Sequence, residues 1–450
     1  MRGVHHDYTD GSLNRAIFLL AVPMVLEMVM ESLFGLVDVF WVAHLGPDAI
    51  ATVGLTETGL TLIFVMAIGL STGAAAVVSR RVGEKDNAGA GAAAIQAIIM
   101  GLAISSVVAV FGFFYASEIL GLLGGSESVI RTGSNYTRII VTGSATVFLL
   151  FLINAVFRGA GDAAIAMRVL WLANIVNICL NPFLIFGWGP FPELGVTGSA
   201  VGTTIGRGVG VLYQLWILFS PAGRISVRRD LIRIDTAVMA TMFRLSLTAM
   251  FQYLVQMASW IAVVRIIAGF SSAAVAANTL AIKIVLFAIL PSWGMSNAAA
   301  TLVGQNLGAK KPDRAEKAVW RTGLFNAAFL GAISILFIGF ADPIIRAFTD
   351  DPEVMPIAVR GLRMLALGNV SYAYGMVITA AFNGAGDATT PTVLNLICFW
   401  ACQIPLAYYL AVVQNMGPSG AWTAVLTADT LLAVMAIVIF RRGKWKMSVV

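Results

Sequence analysis

Three carboxylates stand in the first apolar stretch of the chain: Glu27, Glu31 and Asp38. At about 100° per residue, their spacing gathers all three within about 40° of one helix face. An ionisable side chain at the centre of a membrane span costs roughly 2.5–3.5 kcal/mol on insertion scales, so each one implies a partner or a function. Such a stripe is either a set of paired groups at a helix interface or a proton- or sodium-responsive surface facing a water-filled cavity. Pro23 lies four residues before Glu27. A proline inside a helix removes one backbone hydrogen bond and kinks the rod, so the acidic face hangs from either a hinge or a fixed bend.

A second polar stripe lies in the fifth apolar segment, where Asn174, Asn177 and Asn181 share a face within about 60°. Asparagine offers a carbonyl oxygen to a cation and amide donors to a carboxylate. The alternative is interhelical hydrogen bonding, worth about 0.6 kcal/mol per bond in membranes. Pro182 follows directly and frees backbone carbonyls beside the stripe.

The elements that position these groups are read from composition. Of 450 residues, 59% are hydrophobic and 12% charged, against about 45–50% and about 25% in a soluble chain. The chain is therefore read as an all-α polytopic membrane protein. Apolar runs fall at 16–42, 49–78, 91–116, 136–158, 165–188, 195–219, 240–268, 274–303, 318–341, 357–383, 391–413 and 419–440, which predicts twelve transmembrane helices. With a cytoplasmic amino terminus, 21 of the 29 Lys and Arg residues, Arg158 among them, collect on one side and five on the other, while Arg207, Arg265 and Lys283 fall inside spans. That bias predicts both termini in the cytoplasm of a multi-pass protein of the inner (cytoplasmic) membrane. The first fifteen residues are polar, so the first apolar segment reads as a retained span. Cys179, Cys398 and Cys402 all lie in apolar stretches, which argues against a disulfide framework or a cysteine-rich metal site.

An internal repeat organises the spans. GLSTGAAAVVSRRVG at 69–83 aligns with GMSNAAATLVGQNLG at 294–308, an offset of 225 that also places GAGDA at 159–163 on the same five residues at 384–388. Six spans per half is an even number, so the halves enter the membrane in the same direction, as two six-helix bundles related by a parallel internal repeat. The expected division is an amino-terminal lobe at 1–220, a basic cytoplasmic connector at 221–239 suited to anionic lipid, and a carboxy-terminal lobe at 240–450. The repeat is chemically asymmetric: Glu27, Glu31 and Asp38 map onto Gln252, Gln256 and Val263. Ion coupling is therefore expected in the amino-terminal lobe.

The motifs LVDVFWVAHLG (36–46), AIATVGL (49–55), the two GAGD turns, NPFLIFG (181–187) leading to LGVTGSAVGTT (194–204), LVGQNLGAKKPDRAEKA (302–318) and FTDDPEV (348–354) together resemble the multidrug and toxic compound extrusion (MATE) transporters over nearly the whole chain. The resemblance implies two bundles facing a central cavity, and export of organic, often cationic, compounds driven by inward sodium or proton flow. Carried onto this sequence, it implies that Asp38, Asn177 and Thr203 belong to the amino-lobe ion site, with sodium as a possible occupant at Asp38, and that Pro23 is linked to bending of the first helix. Several relatives have Asp before the fifth-helix proline where this chain has Asn181. Glu31 is the residue placed to supply the missing carboxylate.

The predicted activity is thus secondary active efflux by alternating access. Ion coupling is assigned to Asp38, Asn177, Asn181, Thr203 and Glu31, and the cargo cavity to Glu27, Gln252, Gln256 and Lys283. The rival within the same superfamily is a flippase for a lipid-linked precursor, which needs a strongly cationic cavity; three in-span cations against Glu27, Glu31, Asp38, Glu57 and Asp429 argue for cationic or neutral cargo. An intramembrane enzyme is the rival of another class, and His5, His6 and His44, the only histidines, all lie at or outside span ends. No cofactor is expected beyond the transported sodium ion or proton. The expected partners are small organic substrates and the lipid bilayer, with no nucleic acid and a monomeric state.

Overall fold

A computed structural model describes residues 6–220, 224, 225, 227 and 233–448, apart from the side chains of Leu36 and Val39. Much of the expected connector, 221–223, 226 and 228–232, lies outside the described residues. In chain order the elements are α1 (Leu13–Ala43), α2 (Pro47–Gly83), α3 (Asn87–Leu122), α4 (Glu127–Thr142), α5 (Ser144–Ala160), α6 (Ala163–Phe186), α7 (Val196–Leu218), α8 (Thr236–Ala268), α9 (Ser272–Gly308), α10 (Pro312–Gly339), the short α11 (Ala341–Arg346), α12 (Val354–Ala385) and α13 (Thr389–Asn395). A π-helical stretch (Leu396–Gln403), α14 (Ile404–Tyr408) and a second π stretch (Tyr409–Val413) continue α13 as one rod, followed by α15 (Pro418–Arg441) and a 3-10 turn (Lys444–Met447). Helices close their own backbone hydrogen bonds, which is what a chain this apolar needs in lipid. Among the described residues, eleven segments, with α4 and α5 forming one and Thr389–Val413 another, are long and apolar enough to cross a membrane. The twelfth, α7, has 23 residues, and Arg207 and Gln214, with five glycines, lower its hydropathy below the others.

The repeat reappears in backbone geometry. Gly161 and Gly386, 225 residues apart, both take left-handed φ, near 90° and 86°, and end α5 and α12 with the same pair of bonds. Gly161 N–H donates to Arg158 O and Asp162 N–H to Phe157 O, matched by Gly386 to Asn383 and Asp387 to Phe382. Lys85 and Lys310, also 225 apart, both take positive φ. Both follow a helix whose last carbonyls are satisfied by the equivalent bonds Lys85 to Val82 and Lys310 to Leu307.

Two compact units account for the chain, Met1–Asp7 with Leu26–Leu247, and Tyr8–Val25 with Thr248–Val450. The boundaries fall inside α1 and α8, at nearly equivalent points of the repeat, and not in the connector. In the first unit, Gly73 of α2 approaches the start of α8 so closely that an added Cβ would lie 2.8 Å from Met242 O. In the second unit, a Cβ on Gly294 would lie 2.6 Å from Met24 O, so α9 takes the first part of α1. The segment before α1 is held there too. Lys311 donates to Thr9 O at 3.0 Å and to the Asp10 carboxylate, Arg314 to Gly11 O and Asp10 O at 2.9 Å each, and Arg321 to Asn14 Oδ1 at 2.8 Å. Pro23 lies inside α1, three residues before the division.

The carboxyl end of the second unit is tied to the same turn of α10. Trp445 stacks on Phe440 at 4.5 Å, and Lys446 pairs with Glu316 at 2.6 Å and Asp313 at 3.2 Å. Glu316 first, then Asp313, hold the Lys446 ammonium above its ordinary value. A lysine whose pKa is raised by folding contributes stability that is complete below its unfolded value and is lost as pH rises through the folded one. Raising pH beyond the ordinary 10.5 is therefore expected to loosen Lys444–Met447, read as a change in Trp445 fluorescence against a Trp445→Phe control. Lys446→Met should show the loosened signal at neutral pH; an unchanged signal would mean that the aromatic stack alone holds the turn.

Candidate functional site

The site in the first unit is built by a glycine ridge. Gly198, Gly202, Gly206 and Gly210 recur every four residues on α7 and face α6. A Cβ on Gly206 would lie 2.6 Å from Ala173 O and 3.0 Å from the Asn177 Cβ, and one on Gly202 would collide with the Asn181 amide. Small residues let two helices approach until their polar side chains bond directly. The asparagine stripe of α6 is thereby pressed against α7, with α1 alongside.

Three polar layers result. In the first, Asn181 Nδ2 donates to Asp38 Oδ1 at 2.8 Å and Ser199 Oγ donates to the same oxygen at 3.1 Å. Asn181 also donates to Asn177 Oδ1 at 3.2 Å, and Asn177 Nδ2 donates to Thr203 Oγ1 at 2.8 Å. Asp38, Asn177, Asn181, Ser199 and Thr203 are all buried, and among the described residues Asn181 Oδ1 has no hydrogen-bond partner. A carboxylate, two amide oxygens and two hydroxyls within one network form the oxygen-rich donor set that hard cations take, and a carboxylate also accepts a proton. Of the five residues assigned to ion coupling, the structure brings four into this layer. Ser199 is the member that the sequence reading omitted; its signal was its place one helical turn before Thr203.

The second layer holds the fifth. Glu31 is half-buried on α1, beside Asn174, whose side-chain amide acts on the Glu31 carboxylate. Arg207 of α7 is close enough for its charge to act on both Glu31 and Asp38, and its guanidinium lies 6.0 Å from the centre of the Phe64 ring. The third layer is an ion pair. Glu27 Oε1 accepts from Arg158 Nη1 at 2.7 Å and from Asn154 Nδ2 at 3.2 Å, and Gln214 Nε2 donates to Asn154 Oδ1 at 2.7 Å. Glu27 is 1% exposed, so this carboxylate is an interhelical partner and not a cavity wall. That corrects its assignment to the cargo cavity, and it moves Arg158 from the cytoplasmic count to the interior.

The remaining cargo positions belong to the second unit. Gln252 is buried, its Oε1 unpartnered among the described residues, and its backbone oxygen accepts from Asn395 Nδ2 at 3.4 Å. Gln256 is half-buried and reaches the Tyr372 hydroxyl at 3.5 Å. Lys283 and Arg265, both inside spans, are exposed on α9 and α8; long basic side chains carry their charge to the helix surface. Among the described residues, no hydrogen bond joins Gln252, Gln256 and Lys283 to one another. Asp429 stands on α15 next to Gly368, where an added Cβ would lie 3.8 Å from its Oδ2.

The sequence model of the MatE family matches this chain twice, over residues 23–183 and 248–409. The chain belongs to the MatE family. The two matches begin 225 residues apart, the offset of the internal repeat. Among its relatives is the "Probable multidrug resistance protein NorM" of Thermotoga maritima, 25% identical over 436 residues that cover 96% of this chain and 93% of that protein. The "Probable multidrug resistance protein YoeA" of Bacillus subtilis is 26% identical, covering 97% and 95%. The "FAD transporter" of Shewanella oneidensis is 24% identical, covering 89% of each. Among solved structures, the outward-facing conformation of a multidrug resistance MATE family transporter superposes over 100% of both chains with a TM-score of 0.92 at 23% identity. As a MatE protein this chain is a multi-pass transporter of two six-helix bundles, and its relatives are transporters, not enzymes.

Proposed function

We propose that this MatE protein exports small, amphipathic organic compounds, cationic ones foremost, by alternating access, and that inward flow of a sodium ion or a proton through the Asp38 layer drives the cycle. The observation that carries this reading is the buried Asp38 carboxylate, bonded by Asn181 and Ser199 and linked through Asn177 to Thr203. A ligand shifts a conformational equilibrium only by its differential affinity for the two states, and a buried carboxylate supplies such a difference when it is neutralised. Two relatives named as multidrug resistance proteins support the cargo class. The protein is read as a monomer of the cytoplasmic membrane with both termini inside and no resident cofactor, and the Lys and Arg bias supports that orientation.

The test is accumulation of a fluorescent organic cation by inside-out vesicles, energised in turn by a lumen-high proton or a lumen-high sodium gradient. Uptake is expected with one of the two gradients and not without either. The panel should include a flavin nucleotide, because one relative is named as an FAD transporter. Transport of no panel member, with normal membrane expression, would overturn multidrug export and favour the flippase reading.

A further inference from the structure

The register of the three layers gives Arg207 a definite place. Asp38 and Asn181 meet in one layer, and stepping back seven residues on α1 and on α6 reaches Glu31 and Asn174. The α7 helix runs the opposite way: Ser199 bonds Asp38 and Thr203 bonds Asn177, so one further turn brings Arg207 to the Glu31 layer. Gly206, its neighbour, is pressed on Ala173 and Asn177. Among the described residues Arg207 closes no salt bridge, yet its charge reaches Glu31 and Asp38. The other charged or titratable groups facing this region from the packed elements are Glu57 of α2, which is exposed, Tyr136 of α4, which is buried, and the Glu27–Arg158 pair.

The charges can be counted. Glu27 is matched by Arg158. Glu31 and Asp38 then share one cation, the Arg207 guanidinium. With both carboxylates ionised the seam carries one uncompensated negative charge. A first monovalent cation brings it to neutrality, and a second would lose its hydration with no charge left to balance it.

We propose that Arg207 is a built-in countercharge that sets this seam to take one monovalent cation, sodium or proton, per cycle and excludes a second. The proposal rests on the Asp38 reading above and adds the number of ions and the residue that fixes it. It gives Glu31 a role that differs from that of a plain ligand: Glu31 balances Arg207, which leaves Asp38 to the ion.

Cation binding by the purified full-length protein tests this, with sodium measured by equilibrium dialysis and protons by potentiometric titration. Wild type is expected to take up one cation at the seam. Glu31→Gln leaves Asp38 and Arg207 as a neutral pair and should weaken uptake by about tenfold or more. Adding Arg207→Gln to Glu31→Gln should restore it, an outcome that a merely structural role for either residue does not produce. Arg207→Gln alone should take up two cations and Arg207→Lys one. Wild-type affinity in Glu31→Gln, or no recovery in a well-folded double variant, would overturn the countercharge. Should the double variant not fold, a single cation bound by Arg207→Gln at wild-type affinity would do the same. Asp38→Asn separates the two ideas: undiminished uptake there would defeat the Asp38 reading itself, whatever Arg207 does.

Discussion

Asp38→Asn is expected to abolish gradient-driven export while leaving the protein folded and able to bind cargo. The replacement is nearly isosteric, and its amide oxygen can still accept from Asn181 and Ser199, which bond Asp38 Oδ1 at 2.8 and 3.1 Å. What it loses is the charge. At an effective dielectric of about 20, one carboxylate attracts a monovalent cation about 4 Å away by about 4 kcal/mol, or about three orders of magnitude in affinity. Without that difference the ion no longer distinguishes one conformation from the other, and the gradient has nothing to act on. Vesicle transport and equilibrium binding of the same fluorescent cation, measured on one preparation, check this. Transport at the wild-type rate would remove the Asp38 layer from the coupling mechanism.

The parts of this site that were legible in the sequence were those set by periodicity. The spacing of Glu27, Glu31 and Asp38 and of the three asparagines fixed which side chains share a face, and the layers formed on those faces. Periodicity says nothing about which neighbour a face meets. The same stripe therefore holds a buried ion pair at Glu27, a half-buried carboxylate at Glu31 and the donor-rich layer at Asp38, and three residues alike in spacing differ in chemistry. Ser199 was missed because its one signal, a place one turn before Thr203, does not say that the side chain meets Asp38, and Arg158 because a charge near a span end reads as cytoplasmic until its partner is known.

The second half shows the same limit at the backbone. The apolar run at 391–413 reads as one regular helix, whereas the chain widens into π turns at Leu396–Gln403 and Tyr409–Val413 on either side of Ile404–Tyr408. Pro405 supplies no N–H to the ladder, and loosened turns of this kind are common where a helix accommodates such a gap. Along this rod Trp400 Nε1 donates to Val255 O at 2.9 Å and Gln403 Nε2 to Ser259 Oγ at 3.1 Å. Hydropathy records none of these bonds. The unit boundaries inside α1 and α8 were hidden for a related reason, since they are set by the close approaches at Gly73 and Gly294, and a single glycine carries no sign of what packs on it.

Arg158→Leu should have the opposite effect to Asp38→Asn, a loss of folding stability and not of coupling alone. Its guanidinium is 2.7 Å from Glu27, with the two side chains 14% and 2% exposed. Removing one member of a buried pair leaves the other charge uncompensated, at about 3–5 kcal/mol, whereas replacing both by apolar groups of similar volume is often neutral. Glu27 would retain only Asn154, whose own oxygen is already bonded by Gln214, so the damage should spread along α1, α5 and α7. The double variant Glu27→Leu/Arg158→Leu is expected to recover most of the loss, a coupling energy that a double-mutant cycle isolates. Unfolding midpoints in detergent, read for both single variants and the double, supply the cycle. Additive losses would mean that the pair does not act as a unit and that helix packing alone holds the third layer.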